Sequence, residues 1–547
     1  MSRRIQTISI LVLIVVVLGL GIQKAGLAGV FSDRLSGLLA QDETTYASGA
    51  VSLATGSGWM TPKVLGRFYL VKPPLLIWLA GLSMRTFGIS RFALRFPVLL
   101  AGSFATLFLF LWSERRYSRW AALITLLLAV GNPLWYTFSR ICYTDMLLVF
   151  AMTGALWTFD RDPEFAQTRS VLLFGGFLAV GTMTKNVAGL LPLAVVVGTC
   201  LVSRHRLPVA NLFKCCGVTA VLIAPWHLYQ FIYHPRWFWT DYVKIQLLQF
   251  GFEPPAQTSQ EGAAWFYLKR FVLTDPLLAL LSAVALPCLF RAVRAGKREA
   301  ALLLSWVAVT CGALLLFHYR NLPYLLYVIP PLCVAAAAYA IPRLTRYPKF
   351  AAIALAAVFC IKAASGSYLW GLPSPSTVSI PSEKWFRWYA NQQRPNNLIA
   401  VNSDDEFYGS ALPIAKIHYC NLDPAQLARR YAPHYAYLGI TVSVDQFNHI
   451  DNWKPRFKER LLEWGLHTDS AIATNIMAAT VDEIVRLVET HDRTDFYLPT
   501  KIVRAIPPET LSARRVVPMS QDRYFLLAPE ANERYFSQLG WSVPQNW

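Results

Sequence analysis

Charged residues are scarce in this chain of 547 residues: Asp, Glu, Lys and Arg make up 15% of it, whereas soluble domains contain about 25%. Hydrophobic residues make up 55%. Long apolar runs with few charges recur through the first two thirds of the sequence, which is the pattern of membrane-spanning helices. This composition excludes a soluble multidomain enzyme and predicts a polytopic α-helical membrane protein.

Cysteines are few and lack the spacings of known sites. The nine cysteines are scattered, apart from the adjacent Cys215 and Cys216, and Cys420 alone lies after residue 371. No CxxC or HExxH spacing occurs, so the sequence contains neither a redox motif nor a zinc motif of these kinds. We expect inert, buried thiols.

Acidic residues are especially scarce in the first part of the chain. Residues 1–371 contain 33 basic and 13 acidic residues, whereas residues 372–547 contain 18 and 19. The excess positive charge lies mostly in short loops between apolar runs, where it marks the cytoplasmic side of a membrane protein. No basic segment interleaved with aromatic residues indicates a nucleic-acid groove, so we expect no nucleic-acid partner.

Eleven apolar segments are candidate spans, and several must extend into their flanks to reach the roughly 20 residues that cross a bilayer. Their approximate bounds are Ile8–Ile22, Pro97–Trp112, Trp120–Tyr136, Met146–Phe159, Val171–Met183, Val187–Val202, Leu212–Ile232, Asp275–Phe290, Ala300–Phe317, Leu322–Ile341 and Phe350–Leu369.

The loops between these segments alternate in charge. With a cytoplasmic N-terminus, alternate loops hold 17 basic residues, and the intervening short loops hold only Arg140, Lys185 and Arg320. The positive-inside rule therefore predicts this orientation, and it favours a hairpin within Val171–Val202. An odd number of spans places the C-terminal domain outside. The first segment is read as an uncleaved anchor, with a cleaved signal peptide as the alternative.

The composition changes after Gly371, which predicts two domains, residues 1–371 in the membrane and residues 372–547 as a soluble α/β domain. In the second domain, the predicted strands are Leu398–Val401, Tyr435–Val444, Lys501–Val503 and Tyr524–Leu527. The predicted helices are Pro424–Arg430 and Val481–Glu489. Within the membrane domain, Leu75–Phe87 is predicted as an interfacial helix, and Tyr233–Phe271 as a mobile external segment.

Ionisable residues near apolar spans are costly to place there, so each is a candidate site. Asp42, Glu43, Lys72 and Asp145 all fall on the predicted external face. Each also has a structural interpretation: the adjacent acids as solvated interface residues, Lys72 as a snorkelling lysine, and Asp145 as part of a helix cap. Residue types alone leave both interpretations open.

Three motifs share the predicted first external loop: Asp42–Ala47, reading Asp-Glu-Thr-Thr-Tyr-Ala, then Gly58–Pro62 and Tyr69–Pro74. Together they resemble the first external loop of the bacterial aminoarabinose transferases, which act on lipid A and are related to the protein O-mannosyltransferases. The resemblance implies a GT-C-like fold with about 11 to 13 transmembrane helices, interfacial helices and a C-terminal periplasmic α/β domain.

The same resemblance implies a reaction and a set of site residues. The reaction is inverting transfer of 4-amino-4-deoxy-L-arabinose from undecaprenyl phosphate to a lipid A phosphate, at the periplasmic face of a bacterial inner membrane. Asp42 would act as base or orient the substrates, and Lys72 would stabilise the leaving phosphate, because charge grows there as the glycosidic bond breaks. Glu43, Tyr46, Tyr69 and Asp145 are expected around the sugar. A leaving phosphate also needs further donors, and Arg320, Tyr324 and Tyr327 at the external start of the tenth span are the candidates; alternatively, Arg320 and Tyr324 only anchor that helix in the membrane interface.

The expected partners are an undecaprenyl phosphate-linked sugar donor, lipid A and membrane lipids, and we expect a monomer. No cofactor is expected, because Lys72 supplies positive charge; a divalent metal ion held by Asp42 and Glu43 is the alternative. Two other functions stay open. A related transferase could use another sugar or a protein or glycan acceptor, and a transporter would show charges buried in mid-span and repeat symmetry.

Overall fold

The computed structural model describes residues 10–15, 42–54, 56, 58–64, 67–235, 238–249, 262–317, 320–364, 398–401, 417–420, 481–491, 494–520 and 523–528. The chain divides into two compact units. The first comprises Met1–Asp33 and Leu70–Pro375, and the second comprises Arg34–Tyr69 and Ser376–Trp547. The second unit therefore contains the helix α1 (Asp42–Ala54) and the short antiparallel strands β1 (Lys63–Val64) and β2 (Arg67–Phe68). The predicted boundary at residue 371 stays a prediction.

The first unit is a bundle of helices. In chain order they are α2 (Leu75–Phe87), α3 (Arg91–Arg116), α4 (Arg119–Gly131), α5 (Pro133–Phe138), α6 (Thr144–Arg161), α7 (Thr168–Lys185), α8 (Leu191–Ser203), α9 (Val209–Tyr233), α10 (Ala263–Thr274), α11 (Pro276–Arg294), α12 (Arg298–Leu316), α13 (Ile329–Ala335), α14 (Ile341–Leu344) and α15 (Pro348–Ala364). A 3-10 helix (Asn186–Leu190) lies between α7 and α8, another (Leu322–Tyr327) precedes α13, and π-helical turns span Phe238–Gln249 and Ala336–Ala340.

Polar residues mark where these helices begin. The hydroxyls of Ser90 and Ser118 accept from the backbone N–H three residues on, at the starts of α3 and α4. The Asn132 side chain does the same at α5, where Pro133 follows at the first position. Such caps satisfy backbone donors that have no partner within the helix. They explain why α4 and α5 are separate helices, although Trp120–Tyr136 was predicted as one span.

Successive helices cross the bundle in opposite directions. The Arg116 Nε lies 2.9 Å from both carboxylate oxygens of Asp160, so α3 and α6 end on the same side. The Asn211 side chain donates to the Glu164 carbonyl at 2.8 Å, which places the start of α9 on that side as well. Because Lys185 contacts Asp145 at the opposite end of α6, α8 must return across the bundle. The predicted hairpin within Val171–Val202 is therefore confirmed.

The turn of this hairpin depends on two glycines. A Cβ on Gly189 would lie 2.1 Å from the Thr182 nitrogen, and one on Gly181 would lie 2.8 Å from the Gly189 Cα. The backbones therefore meet without side chains between them. Asn186 adopts φ 52° and ψ −137° immediately after Lys185, a conformation that glycine prefers. This turn fixes the direction in which Lys185 leaves α7.

The chain is a multi-pass helical membrane protein. Five helical stretches of the described residues are long and apolar enough to cross a membrane: Arg91–Arg116, Thr168–Ser203, Val209–Tyr233, Pro276–Arg294 and Arg298–Leu316. The second of these stretches contains both α7 and α8. Shorter apolar helices accompany them, including Leu75–Phe87, as predicted. The number of 11 to 13 spans and the membrane orientation stay predictions.

The second unit contains a five-stranded sheet with the order β4-β3-β5-β7-β6. Its strands are β3 (Leu398–Val401), β4 (Ile417–Cys420), β5 (Asp495–Pro499), β6 (Arg515–Ser520) and β7 (Arg523–Leu527), with helices α16 (Val481–Thr490), α17 (Thr500–Val503) and α18 (Pro508–Ser512). β3 is parallel to β4 and β5, and β7 is antiparallel to β5 and β6.

Three of the elements predicted for this unit are confirmed, namely the strands at 398–401 and 524–527 and the helix at 481–489. The prediction of a strand at Lys501–Val503 is wrong, because these residues form α17 directly after Pro499 ends β5. The predictions for Tyr435–Val444 and Pro424–Arg430 fall outside the described residues.

Candidate functional site

Asp145 lies in the first turn of α6 and is 3% exposed. Its Oδ1 accepts a hydrogen bond from Lys185 Nζ at 2.7 Å and another from the Tyr327 hydroxyl. The residue at the N-cap position is Tyr143, and no side chain caps the helix. The interpretation of Asp145 as part of a cap is therefore wrong, since its carboxylate serves contacts between helices.

Lys185 is the centre of this cluster. Its Nζ also donates to the Tyr327 hydroxyl at 2.8 Å, and it lies 4.3 Å from the ring centroid of Tyr324. The rings of Tyr324 and Tyr327 are stacked, with centroids 5.9 Å apart. The ammonium group therefore has a carboxylate, a hydroxyl and an aromatic face around it. Each of these contacts favours a cation.

The 3-10 helix Leu322–Tyr327 is held against the bundle by a buried tryptophan. Trp306 Nε1, on α12, donates to the Tyr327 carbonyl at 3.0 Å, and the Trp306 ring stacks on Trp112 of α3 with centroids 6.1 Å apart. Both indole rings are fully buried. The cluster thus joins the start of α6, the end of α7 and the 3-10 helix, with α3 and α12 packed behind it.

Two further predicted residues of the first unit are Lys72 and Arg320. Lys72 is half-buried in the turn before α2. Arg320 is also half-buried and stands just before the 3-10 helix, where the Asn321 N–H donates to the Tyr267 hydroxyl at 3.4 Å. Their roles at a phosphate stay predictions.

The predicted residues of the second unit form a group of their own. Asp42 and Glu43 occupy the first turn of α1, and Glu43 is fully buried. One turn later, the Tyr46 ring meets the Tyr69 ring edge to face, with centroids 6.4 Å apart. The structure therefore brings Tyr46 and Tyr69 together, and their place in a sugar cavity stays a prediction. A single pocket that joins Asp42 and Lys72 to Asp145 stays a prediction.

Lys185 was missing from the predicted site. The sequence did contain a signal for it, because Lys185 is one of only three basic residues in the short loops of the predicted external side. A cation at a membrane end that is otherwise poor in cations has no topological explanation. The partner that explains it, Asp145, lies 40 residues earlier in the chain.

Comparisons with known proteins bear on this cluster. Residues 71–229 match the family model of dolichyl-phosphate-mannose-protein mannosyltransferase. The chain is 30% identical over 317 residues to undecaprenyl phosphate-alpha-4-amino-4-deoxy-L-arabinose arabinosyl transferase 1 of Sodalis glossinidius, which covers 54% of each chain. It is 27% identical over 319 residues to the transferase of the same description from Yersinia enterocolitica, over 55% of this chain and 54% of the relative.

The chain is similar to the aminoarabinose transferases. The resemblance predicted from the three loop motifs is thereby confirmed, and the chain spans about half the length of the curated relatives it matches. The fold is similar to that of ArnT from Cupriavidus metallidurans bound to undecaprenyl phosphate, with a TM-score of 0.60 and 16% identity, over 96% of this chain and 98% of that one. The apo state of the same protein gives a TM-score of 0.54 at 17% identity, over 91% and 96%.

The segment that matches the mannosyltransferase model contains Lys72, Asp145 and Lys185. Two of these three residues, Asp145 and Lys185, form an ion pair. Both residues of this pair therefore belong to the matched segment, and their role in a functional site stays a prediction.

Proposed function

We propose that this chain is a membrane glycosyltransferase that takes its sugar from a polyprenyl phosphate. In the specific form of the proposal, it transfers 4-amino-4-deoxy-L-arabinose from undecaprenyl phosphate to a phosphate of lipid A. The observation that carries the proposal is the buried contact between Asp145, Lys185 and Tyr327, the first two of which lie within the segment that matches the mannosyltransferase model. The similarity to curated aminoarabinose transferases supports the choice of sugar and acceptor.

The geometry of Asp145 suits the binding of a sugar. Among the described residues, both donors to this carboxylate use Oδ1, and none uses Oδ2. Oδ2 is therefore able to accept from a hydroxyl or an ammonium group of the donor sugar. Lys185 and Tyr327 hold the Asp145 carboxylate in one orientation. The side chain therefore loses little conformational entropy when a substrate binds.

The proposed reaction breaks the bond between the anomeric carbon and the donor phosphate oxygen and forms a bond to an acceptor phosphate oxygen from the opposite face. Lys72, supported by Arg320, stabilises the charge on the departing lipid phosphate. Asp42 orients the acceptor or takes its remaining proton, which is a small task for an acid already largely ionised near neutral pH. Glu43, Tyr46 and Tyr69 complete the sugar site.

Lys185 has a different role from Lys72 in this proposal. Its three possible donors already face Asp145, the Tyr327 hydroxyl and the Tyr324 ring. We therefore assign Lys185 as a positioning residue that fixes Asp145, and not as the cation at the leaving phosphate.

The proposed setting is the inner membrane of a bacterium, with a cytoplasmic N-terminus and with the site and the C-terminal domain on the periplasmic face. The charge asymmetry of the loops supports this orientation. The proposed partners are the undecaprenyl phosphate-linked donor, lipid A and surrounding lipids, with the chain as a monomer. We propose that no cofactor is required.

A second function has one specific observation in its favour. The match to the dolichyl-phosphate-mannose-protein mannosyltransferase model favours transfer of a hexose to a protein. A protein hydroxyl is not ionised at neutral pH, so this acceptor would demand general-base catalysis from Asp42.

Reconstitution of the full chain in liposomes tests these proposals. Defined polyprenyl-phosphate sugars would be supplied with lipid A or with an acceptor peptide, with and without a chelator, and the product mass would be read. We expect a product with aminoarabinose and lipid A only, at a rate that the chelator leaves unchanged. Mannosyl peptide would establish the second function, and absence of any product from all combinations would refute both.

Site variants in the same assay test the assigned residues. Asp42→Asn, Lys72→Ala and Asp145→Asn should each remove most transfer, while the matched control Asp162→Asn, in the connection after α6, should keep it. Near-normal turnover in Asp42→Asn and Lys72→Ala would contradict the assignment, provided that each variant remains monodisperse.

A further inference from the structure

Arg140 lies in the connection between α5 and α6, five residues before Asp145. Its Nε donates to the Tyr136 carbonyl at 3.0 Å, and its Cζ lies 3.8 Å from the centroid of the Tyr136 ring. The guanidinium group is thus fixed on one edge and on one face. Its two terminal nitrogens donate to no residue in the part of the chain that the structure describes.

Arg140 has no acidic partner among the described residues. The ion pairs of Arg115 and Arg116 with Asp160 and of Lys185 with Asp145 do not include it. Burial and the charge of Arg95 lower the pKa of the Arg140 guanidinium, against an opposing effect of Tyr136. A half-buried cation without an acidic partner gains stability when an anion arrives.

We propose that Arg140 forms a binding site for the phosphate group of a lipid. The two terminal nitrogens of a guanidinium form a planar fork that matches two phosphate oxygens. The position fits a lipid headgroup, because α5 contacts the 3-10 helix Leu322–Tyr327 and therefore lies at the same end of the bundle as Asp145. That the phosphate belongs to a lipid substrate rests on the proposed function.

The same site explains a feature of the sequence. Arg140 and Lys185 are two of the three basic residues in the short loops that the positive-inside rule leaves nearly free of charge. The ion pair with Asp145 explains why a cation is present at Lys185. An anionic ligand would explain why a cation is present at Arg140.

Native mass spectrometry of the purified full chain tests the site without requiring turnover. The probes are undecaprenyl phosphate, undecaprenol, lipid A and lipid A without its phosphates. Arg140→Met removes the charge and keeps an unbranched chain of similar length. Arg206→Met, an exposed arginine at the opposite end of the bundle, is the matched control.

We expect Arg140→Met to weaken binding of at least one phosphate-bearing lipid about tenfold or more, the scale of one lost charge-assisted hydrogen bond. Binding of undecaprenol and of dephosphorylated lipid A should not change, and Arg206→Met should bind every probe as the wild type does. The phosphate lipid that loses affinity identifies the source: the donor carrier or the acceptor.

Unchanged affinity of Arg140→Met for both phosphate lipids would overturn the proposal. If Arg140→Met does not fold, Arg140→Lys keeps the charge without the planar fork, and it should weaken the same lipid about threefold or more; wild-type affinity in that variant would also overturn it. The two proposals can fail separately. If Arg140→Met loses affinity for a phosphate lipid but the wild-type chain transfers no sugar, the proposed function is refuted and the phosphate site is retained.

Discussion

Lys185 and Asp145 lie 40 residues apart in the sequence, and Lys185 Nζ lies 2.7 Å from Asp145 Oδ1. The Tyr327 hydroxyl accepts from the first residue and donates to the second, which closes a ring of three hydrogen bonds. Each of the three side chains is oriented by its hydrogen bonds to the other two. The ring is buried, so removal of one member leaves the others without water to replace it.

Replacement of Lys185 by methionine should destabilise the protein by about 3–5 kcal/mol, because it leaves the Asp145 carboxylate buried without its cation. The double variant Asp145→Asn with Lys185→Met should be more stable than Lys185→Met alone. Thermal unfolding in detergent measures both. A wild-type midpoint in Lys185→Met would show that the ion pair contributes nothing to the fold.

Replacement of Tyr327 by phenylalanine keeps the stacked ring and removes one donor to Asp145. We expect kcat for sugar transfer to fall about tenfold or more, with a smaller change in KM, because the carboxylate loses its fixed orientation. Tyr347→Phe, an exposed tyrosine before α15, is the control. Equal kcat in the two variants would show that the Tyr327 hydroxyl has no role in transfer.

The other end of α6 offers a matched ion pair. Arg116 donates through Nε to both oxygens of Asp160 and through a terminal nitrogen to its carbonyl at 2.7 Å. Arg116→Met should lower the unfolding midpoint, since Asp160 is buried. Its monodisperse fraction should keep wild-type kcat, unlike that of Lys185→Met. Loss of kcat in Arg116→Met would mean that both ends of the helix affect transfer.

The glycine turn after Lys185 gives a prediction about packing. Gly189→Ala places a Cβ 2.1 Å from the Thr182 backbone nitrogen, so α7 and the 3-10 helix that follows must separate. We expect a loss of about 2 kcal/mol or more. Gly176→Ala, also in α7, meets nothing within 4 Å and should leave stability unchanged or raise it by about 0.5–1 kcal/mol. Similar unfolding midpoints for the two variants would contradict the close contact.

Most helices could be predicted from the sequence, because long apolar runs and capping residues are local signals. Val171–Val202 could even be divided correctly, since Lys185 interrupts the run at the middle. Short segments were harder. Lys501–Val503 has the residue types of a strand, yet Pro499 ends β5 and the next four residues form a helical turn. Three residues carry too little periodicity to distinguish the two.

The candidate site shows a similar division. Asp145, Tyr324 and Tyr327 could be predicted from position and residue type, but their contact could not, because it joins residues 182 positions apart. The sequence also left a helix cap open as the explanation of Asp145, since Asp and Thr at a helix start are usual caps. A buried cation from α7 outweighs that local preference in the folded chain.

α6 has an ion-paired carboxylate near each terminus: Asp145 pairs with Lys185 of α7, and Asp160 pairs with Arg116 of α3. These two carboxylates are about 22 Å apart along the helix axis. Translation of α6 along its axis would have to break at least one of these ion pairs. If the proposed lipid donor enters the bundle, we therefore expect other segments to move while α6 stays in place.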